Sequence, residues 1–328
     1  MAGCVLRGTP DSGIFSVSGR IIRELNLKGD RMSKLSIVGA LALLFACTPQ
    51  GAQAPLRDPA GAATIAAGGT VAGATDDKSL PADTAHVAVR LATSPRHGEW
   101  ALIRTPEGDS VKAWVVYPER STRAPVVIVI HEIYGLSSWV RGVADQLAAS
   151  GYIAIAPDLL TMTKVPRTAD TVSTQDAVSA FRTLDMSAAQ RQIDAVAKYA
   201  MSLPAAAQRY GIVGFCRGGD VSFAHAAHAP SVSAAVVYYG VWPGPDKAKS
   251  IQAPVLGLYG GNDARVDATI PQTDSVMRVL GRTYVHSVYD SAGHGFLRQQ
   301  DGMNGANMRA TRQAWPATLA WFKRYLGS

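Results

Sequence analysis

The chain has 328 residues, 47% of them hydrophobic and 17% charged, so it can bury a sizeable core in one large domain or two small ones. Its formal net charge of +7 is spread out: residues 1–46 carry six Lys/Arg against three Asp/Glu, residues 47–85 two against four, and no dense basic run follows, which argues against nucleic acid as a partner and leaves a mildly basic surface suited to anionic small molecules. The three cysteines are Cys4, Cys47 and Cys216, and only Cys216 lies beyond residue 85, so neither a disulfide framework nor a Cys-rich metal site can be built in the body of the chain.

In chain order, residues 1–31 read as neither a domain nor a targeting signal, and Met32 reads as the better start. The codons available to Lys28-Gly29-Asp30 would accommodate a ribosome-binding sequence just upstream of it. From Met32 a short basic segment leads into the apolar run Leu35 to Ala46 and then Cys47. The run is too short to span a membrane and fits a signal peptide; Leu44-Phe45-Ala46-Cys47 resembles a bacterial lipobox, with Phe45 a departure from the usual residue there. The resemblance implies an exported protein, periplasmic or membrane-anchored through a lipidated Cys47. A cut after Ala52-Gln53-Ala54 competes with this, although Pro55 disfavours it. Residues 48–85, rich in Ala, Gly, Thr and Pro, are expected to be a disordered tether, with a domain over 86–328.

From His86 onward eight β-type runs appear: Trp100–Arg104, Ala113–Tyr117, Val126–Ile130, Tyr152–Ala156, Tyr210–Phe215, Ala234–Tyr239, Val255–Tyr259 and Tyr284–Tyr289. The middle ones are continuously apolar, as strands buried on both faces are. Helical stretches lie between them, at Trp139–Ser150, Gln175–Leu184, Ala188–Leu203, Gly218–Ala229, Pro271–Leu280 and Ala306–Leu326. The alternation predicts an α/β fold, a single three-layer domain around a mostly parallel sheet of seven or eight strands, with the first two strands as an antiparallel lead-in.

Gly214-Phe215-Cys216-Arg217-Gly218-Gly219 joins a strand to a helix and reads as a nucleophile elbow, whose strained central residue needs small neighbours two positions either side. The helix N-terminus is expected to favour a thiolate at Cys216, and the Arg217 N–H to serve as an oxyanion-hole donor. A lone cysteine is more often a buried structural residue, so the reading needs support from elsewhere. It comes from the carboxyl ends of other strands, where α/β sheets place their sites. Asp263 follows Tyr259-Gly260-Gly261-Asn262, with Asp267 a nearby competitor; His294 sits in Ala292-Gly293-His294-Gly295-Phe296; Glu132 follows His131 after the Val126–Ile130 strand. Nucleophile, acid and histidine fall in the order of an α/β-hydrolase triad. Beside a cysteine, Glu132 could accept the thiol proton or hold the resting thiol neutral, or it could be a structural partner of an arginine; the Ile133 N–H would be the second oxyanion donor. His86, His97, His225, His228 and His286 are expected to be structural, and His131 could line the site.

Taken together, His131-Glu132-Ile133-Tyr134-Gly135, the Cys216 elbow, Tyr238-Tyr239-Gly240, Asp263 and His294-Gly295-Phe296 resemble the dienelactone hydrolase family from about Pro125 to Leu326. The resemblance implies a single-domain α/β hydrolase with no cofactor and no metal, a Cys216–His294–Asp263 triad, Glu132 taking the thiol proton when substrate binds, and hydrolysis of an enol-lactone such as carboxymethylenebutenolide. It also implies that Arg298 grips a substrate carboxylate, with Tyr134 at the substrate. Where the family has a second such arginine this sequence has Thr174, and Arg167 or Arg182 could substitute. Three functions follow: a cysteine hydrolase of a small, anionic ester or lactone; a broad carboxylesterase or thioesterase; or a lipid-tethered, non-catalytic binding protein. A monomer is expected.

Overall fold

A computed structural model describes residues 76–163 and 172–327. The expected upstream extension, signal segment and Cys47 lie outside the described residues, as does Arg167.

In chain order the elements are α1 (Val87–Ala92), β1 (Gly98–Arg104), β2 (Ser110–Val116), β3 (Ala124–Ile130), α2 (Ser138–Ala149), β4 (Ile153–Asp158), α3 (Thr174–Arg182), α4 (Met186–Ser202), β5 (Ala206–Phe215), α5 (Arg217–His228), β6 (Ala234–Tyr238), α6 (Pro245–Ala248), β7 (Val255–Gly260), α7 (Ala264–Asp267), α8 (Ile270–Val279), β8 (Tyr284–Tyr289) and α9 (Ala306–Leu326). All eight expected strands form, in one sheet of order β1-β2-β4-β3-β5-β6-β7-β8. β1, β2 and β4 pair antiparallel, and every pairing from β4 to β8 is parallel.

The layers follow from side-chain alternation along buried strands. On β3, Val126, Ile128 and Ile130 join a core with residues of α3, α4 and α5, while Val127 and Val129 join the opposite core with residues of α2 and α9. Local signals set the helix ends. Ser173 Oγ accepts the Asp176 N–H at 3.1 Å ahead of α3, Asp185 accepts the Ser187 N–H at 3.0 Å ahead of α4, and α2 stops before Gly151 at φ +94°.

The expected start of the domain at His86 is corrected. Residues 76–85 are packed: Leu80 is buried, the Gln300 amide donates to the Pro81 carbonyl at 2.7 Å, the Thr84 N–H donates to the Arg298 carbonyl at 3.3 Å, and Arg90 holds Asp76 at 2.7 Å. A segment poor in large apolar residues is ordered here by one leucine and by hydrogen bonds to distant residues.

Candidate active site

The six parallel strands deliver their following loops to one edge of the sheet, and the elbow between β5 and α5 lies among them. Cys216 sits there at φ +56°, a backbone region that L-residues rarely occupy. The turn is tight because its flanking residues have no side chains. A Cβ on Gly214 would lie 1.9 Å from the Gly218 carbonyl oxygen, and one on Gly218 would lie 2.3 Å from the His131 carbonyl oxygen. The Cys216 N–H bonds the Tyr238 carbonyl at 3.1 Å, and the Cys216 carbonyl accepts the Gly219 and Asp220 N–H groups at 2.8 and 3.2 Å, opening α5.

After β7, Asp263 is buried and caps the four-residue α7; after β8, His294 is about one-third exposed. Asp263 Oδ2 lies 2.5 Å from His294 Nδ1, a charge-assisted hydrogen bond that fixes the ring and leaves Nε2 as the working nitrogen. Asp267 is not the partner: its N–H bonds the Asp263 carbonyl at 3.0 Å within α7. Tyr239, also at positive φ and fully buried, packs its ring 4.9 Å from that of His294.

After β3, Glu132 is 3% exposed and ion-paired with Arg298, whose Nε lies 2.7 Å from Oε2. The Arg298 guanidinium also stacks over the Tyr134 ring at 4.8 Å. Arg298, expected at the substrate, is therefore engaged with both Glu132 and Tyr134, so the arginine-paired state weighed for Glu132 is the one observed. Burial raises the Glu132 carboxyl, against the lowering effect of Arg298 and His294.

One electrostatic expectation is corrected. The Cys216 thiol is pushed up to about 11, first by burial and then by the Glu132 carboxylate, and these outweigh the Arg217 N–H at the helix start. Arg265 on α7, which sequence reasoning passed over, brings a positive charge that acts on Cys216 and on Asp220. Asp220 itself accepts the Val241 N–H at 2.6 Å and pairs with Arg217 at 2.5 Å, strapping the loop after β6 to α5. No local feature of the sequence marked Arg265, whose effect depends on where α7 meets the elbow.

The other assignments sort by burial. Ile133 is half-buried and packs against the core under α3 and α4. Arg182 is exposed in the last turn of α3. His131 does not line the site: it is completely buried, ring-edge to Phe181. His225 bonds Tyr210 and Gln190 inside the core, His86 pairs with the buried Asp83, and His97 and His228 pair with exposed acids. Among the described residues no three His, Cys, Asp or Glu side chains gather as a metal-binding group.

This edge can present a sulfur nucleophile, a histidine held by a carboxylate, and a buried glutamate poised between an arginine and the thiol. The dienelactone hydrolase family model matches residues 111–326. A Salmonella typhimurium protein provisionally named carboxymethylenebutenolidase is 34% identical over 67% of this chain and 85% of its own. A Bradyrhizobium protein provisionally named 2-oxo-3-(5-oxofuran-2-ylidene)propanoate lactonase is 28% identical over 72% of this chain and 98% of its own. Among solved structures, a provisionally named dienelactone hydrolase from Klebsiella pneumoniae superposes with a TM-score of 0.60 at 27% identity, covering 70% of this chain and 100% of that one.

Proposed function

Since the chain belongs to the dienelactone hydrolase family and is a carboxylic ester hydrolase of the α/β-hydrolase fold, we propose that it opens a small ester or enol-lactone through Cys216, His294 and Asp263 by way of a thioester acyl-enzyme. The observation that carries the reading is the Asp263–His294 bond at 2.5 Å, at the same sheet edge as a cysteine on a strained elbow.

At rest the thiol is neutral. A substrate carboxylate that takes the Arg298 guanidinium releases Glu132, which accepts the Cys216 proton. The thiolate then attacks the acyl carbon: the C–S bond forms, the oxyanion is held by the Ile133 and Arg217 N–H groups, and the ring or ester C–O bond breaks. Water attacks the thioester while His294, oriented by Asp263, takes its proton and passes it to the expelled enolate or alkoxide. The C–S bond breaks and the sulfur regains its proton from Glu132. The two provisionally named relatives point to enol-lactones. Export through a lipidated Cys47 would place this chemistry outside the cytoplasm.

The test uses the full chain, as wild type and Cys216→Ala, against cis and trans dienelactone and p-nitrophenyl acetate. The expected result is lactone turnover that the variant loses, with a thioester adduct on Cys216 detectable by mass spectrometry in the wild type. Turnover retained by Cys216→Ala would sink the mechanism. A second reading, a broad carboxylesterase, draws on the Glu132–Arg298 pair, because an arginine already neutralised grips an anion weakly unless the pair opens. Equal kcat/KM on neutral esters and on charged lactones would select it.

A further inference from the structure

We propose that His131 is a positioning residue for the oxyanion hole: its ring clamps the Glu132–Ile133 peptide so that the Ile133 N–H faces the carbonyl oxygen of an acyl group held at Cys216. The inference rests on the acyl-transfer reading above and deepens it.

The hydrogen bonds around the ring determine which nitrogen carries the proton. The Leu159 N–H lies 3.1 Å from His131 Nε2, and an amide N–H can only donate. Nε2 is therefore the acceptor, and the ring proton sits on Nδ1. Nδ1 lies 2.7 Å from the Glu132 carbonyl oxygen and donates to it. The same oxygen accepts the Gly135 N–H at 3.1 Å, closing the turn over 132–135, with Gly135 at φ +75°. Two donors from different directions thus hold one carbonyl oxygen.

A trans peptide is planar, and its C=O and following N–H point to opposite sides. Pinning the Glu132 oxygen toward the buried ring therefore turns the Ile133 N–H away from it. Among the described residues that N–H has no acceptor in the backbone network, as expected of a donor kept for a ligand. The preceding peptide, His131–Glu132, is seated against the elbow, because the Gly218 backbone packs on the His131 carbonyl so closely that a Cβ would come within 2.3 Å. His131 is 0% exposed, and its ring meets Phe181 at 5.6 Å edge-on, so it cannot swing away. It touches no reacting atom and acts through the peptide it holds.

The experiment compares full-length wild type, Cys216→Ala, His131→Phe and His131→Gln. Phenylalanine fills the site but holds neither the carbonyl nor the Leu159 amide; the glutamine amide can donate to one and accept from the other. Two rates are read for each: hydrolysis of cis-dienelactone, whose carboxylate can release Glu132, and alkylation of Cys216 by iodoacetamide, which needs the thiolate but no oxyanion donor. His131→Phe is expected to lower kcat about tenfold to a hundredfold, with KM and the alkylation rate within about twofold of wild type, and His131→Gln to recover most of the loss. Loss of both rates together, or of neither, overturns the proposal. If His131→Phe does not fold, His131→Met gives the same comparison. Hydrolysis that survives Cys216→Ala refutes the nucleophile instead; hydrolysis that needs Cys216 but is indifferent to His131 refutes the clamp.

Discussion

Replacing Glu132 by glutamine keeps the side-chain volume and deletes the charge that holds the resting thiol neutral. With the thiol at about 11, about one Cys216 in ten thousand is ionised at pH 7. A buried carboxylate acting directly on a thiol is worth on the order of 1–3 kcal/mol, which at about 1.4 kcal/mol per unit is one to two pKa units. The substitution also leaves the Arg298 guanidinium, now paired with Glu132 at 2.7 Å, as an uncompensated positive charge in the same cavity, and this pulls in the same direction. Burial remains, so the thiol does not fall to an ordinary value. The expected outcome is a pH profile of iodoacetamide alkylation displaced to lower pH by one to two units, with the rate at pH 7 raised roughly tenfold to a hundredfold. Hydrolysis of anionic lactones should fall in the same variant, because the proton acceptor is gone. An alkylation profile that stays in place or moves to higher pH would refute the claim that Glu132 restrains the nucleophile.

Three further outcomes are expected. Asp263→Asn, which leaves a side chain of the same shape on His294 Nδ1 but offers the wrong tautomer, should lower kcat by about a thousandfold or more with little change in thermal midpoint. Burial holds His225 down at about 3, so the unfolded chain binds a proton there that the native state refuses; stability is full above pH 6.5 and falls as the pH drops from 6.5 toward 3, by up to about 1.4 kcal/mol per pH unit, and His225→Gln should flatten that slope in urea titrations at successive pH values. Finally, Cys47→Ala in the full chain should move the protein from the membrane fraction to the soluble fraction of an expressing bacterium; unchanged fractionation would rule out lipidation at Cys47.

The strands were legible because β3, β6, β7 and the Tyr210–Phe215 part of β5 are runs of β-branched and apolar residues with no polar face, and only a strand covered on both sides tolerates that. α1 was not legible: Val87–Ala92 is short and has no wide apolar stripe, with Val87 its one buried residue. The segment before it reads as a tether because its order comes from partners at Gln300 and Arg298, which local composition cannot show. Cys216, Asp263 and His294 could be placed because each follows a recognisable strand, and strand ends in a parallel sheet share an edge. The Glu132–Arg298 pair, the charge of Arg265 and the bonds of His131 depend on how distant loops meet, and the thiol's upward shift depends on burial. None of these has a local signature.

The clasp formed by residues 76–84 gives the chain's entry point a mechanical meaning. The backbone amide of Thr84 and the carbonyl of Pro81 are tied to Arg298 and Gln300, on the loop that follows His294. A fragment cut at His86 would free the Arg298 carbonyl and the Gln300 amide and loosen the stretch that holds Arg298 against Glu132. A fragment meant to keep the native seat of Arg298 must include Asp76 and the residues that follow it.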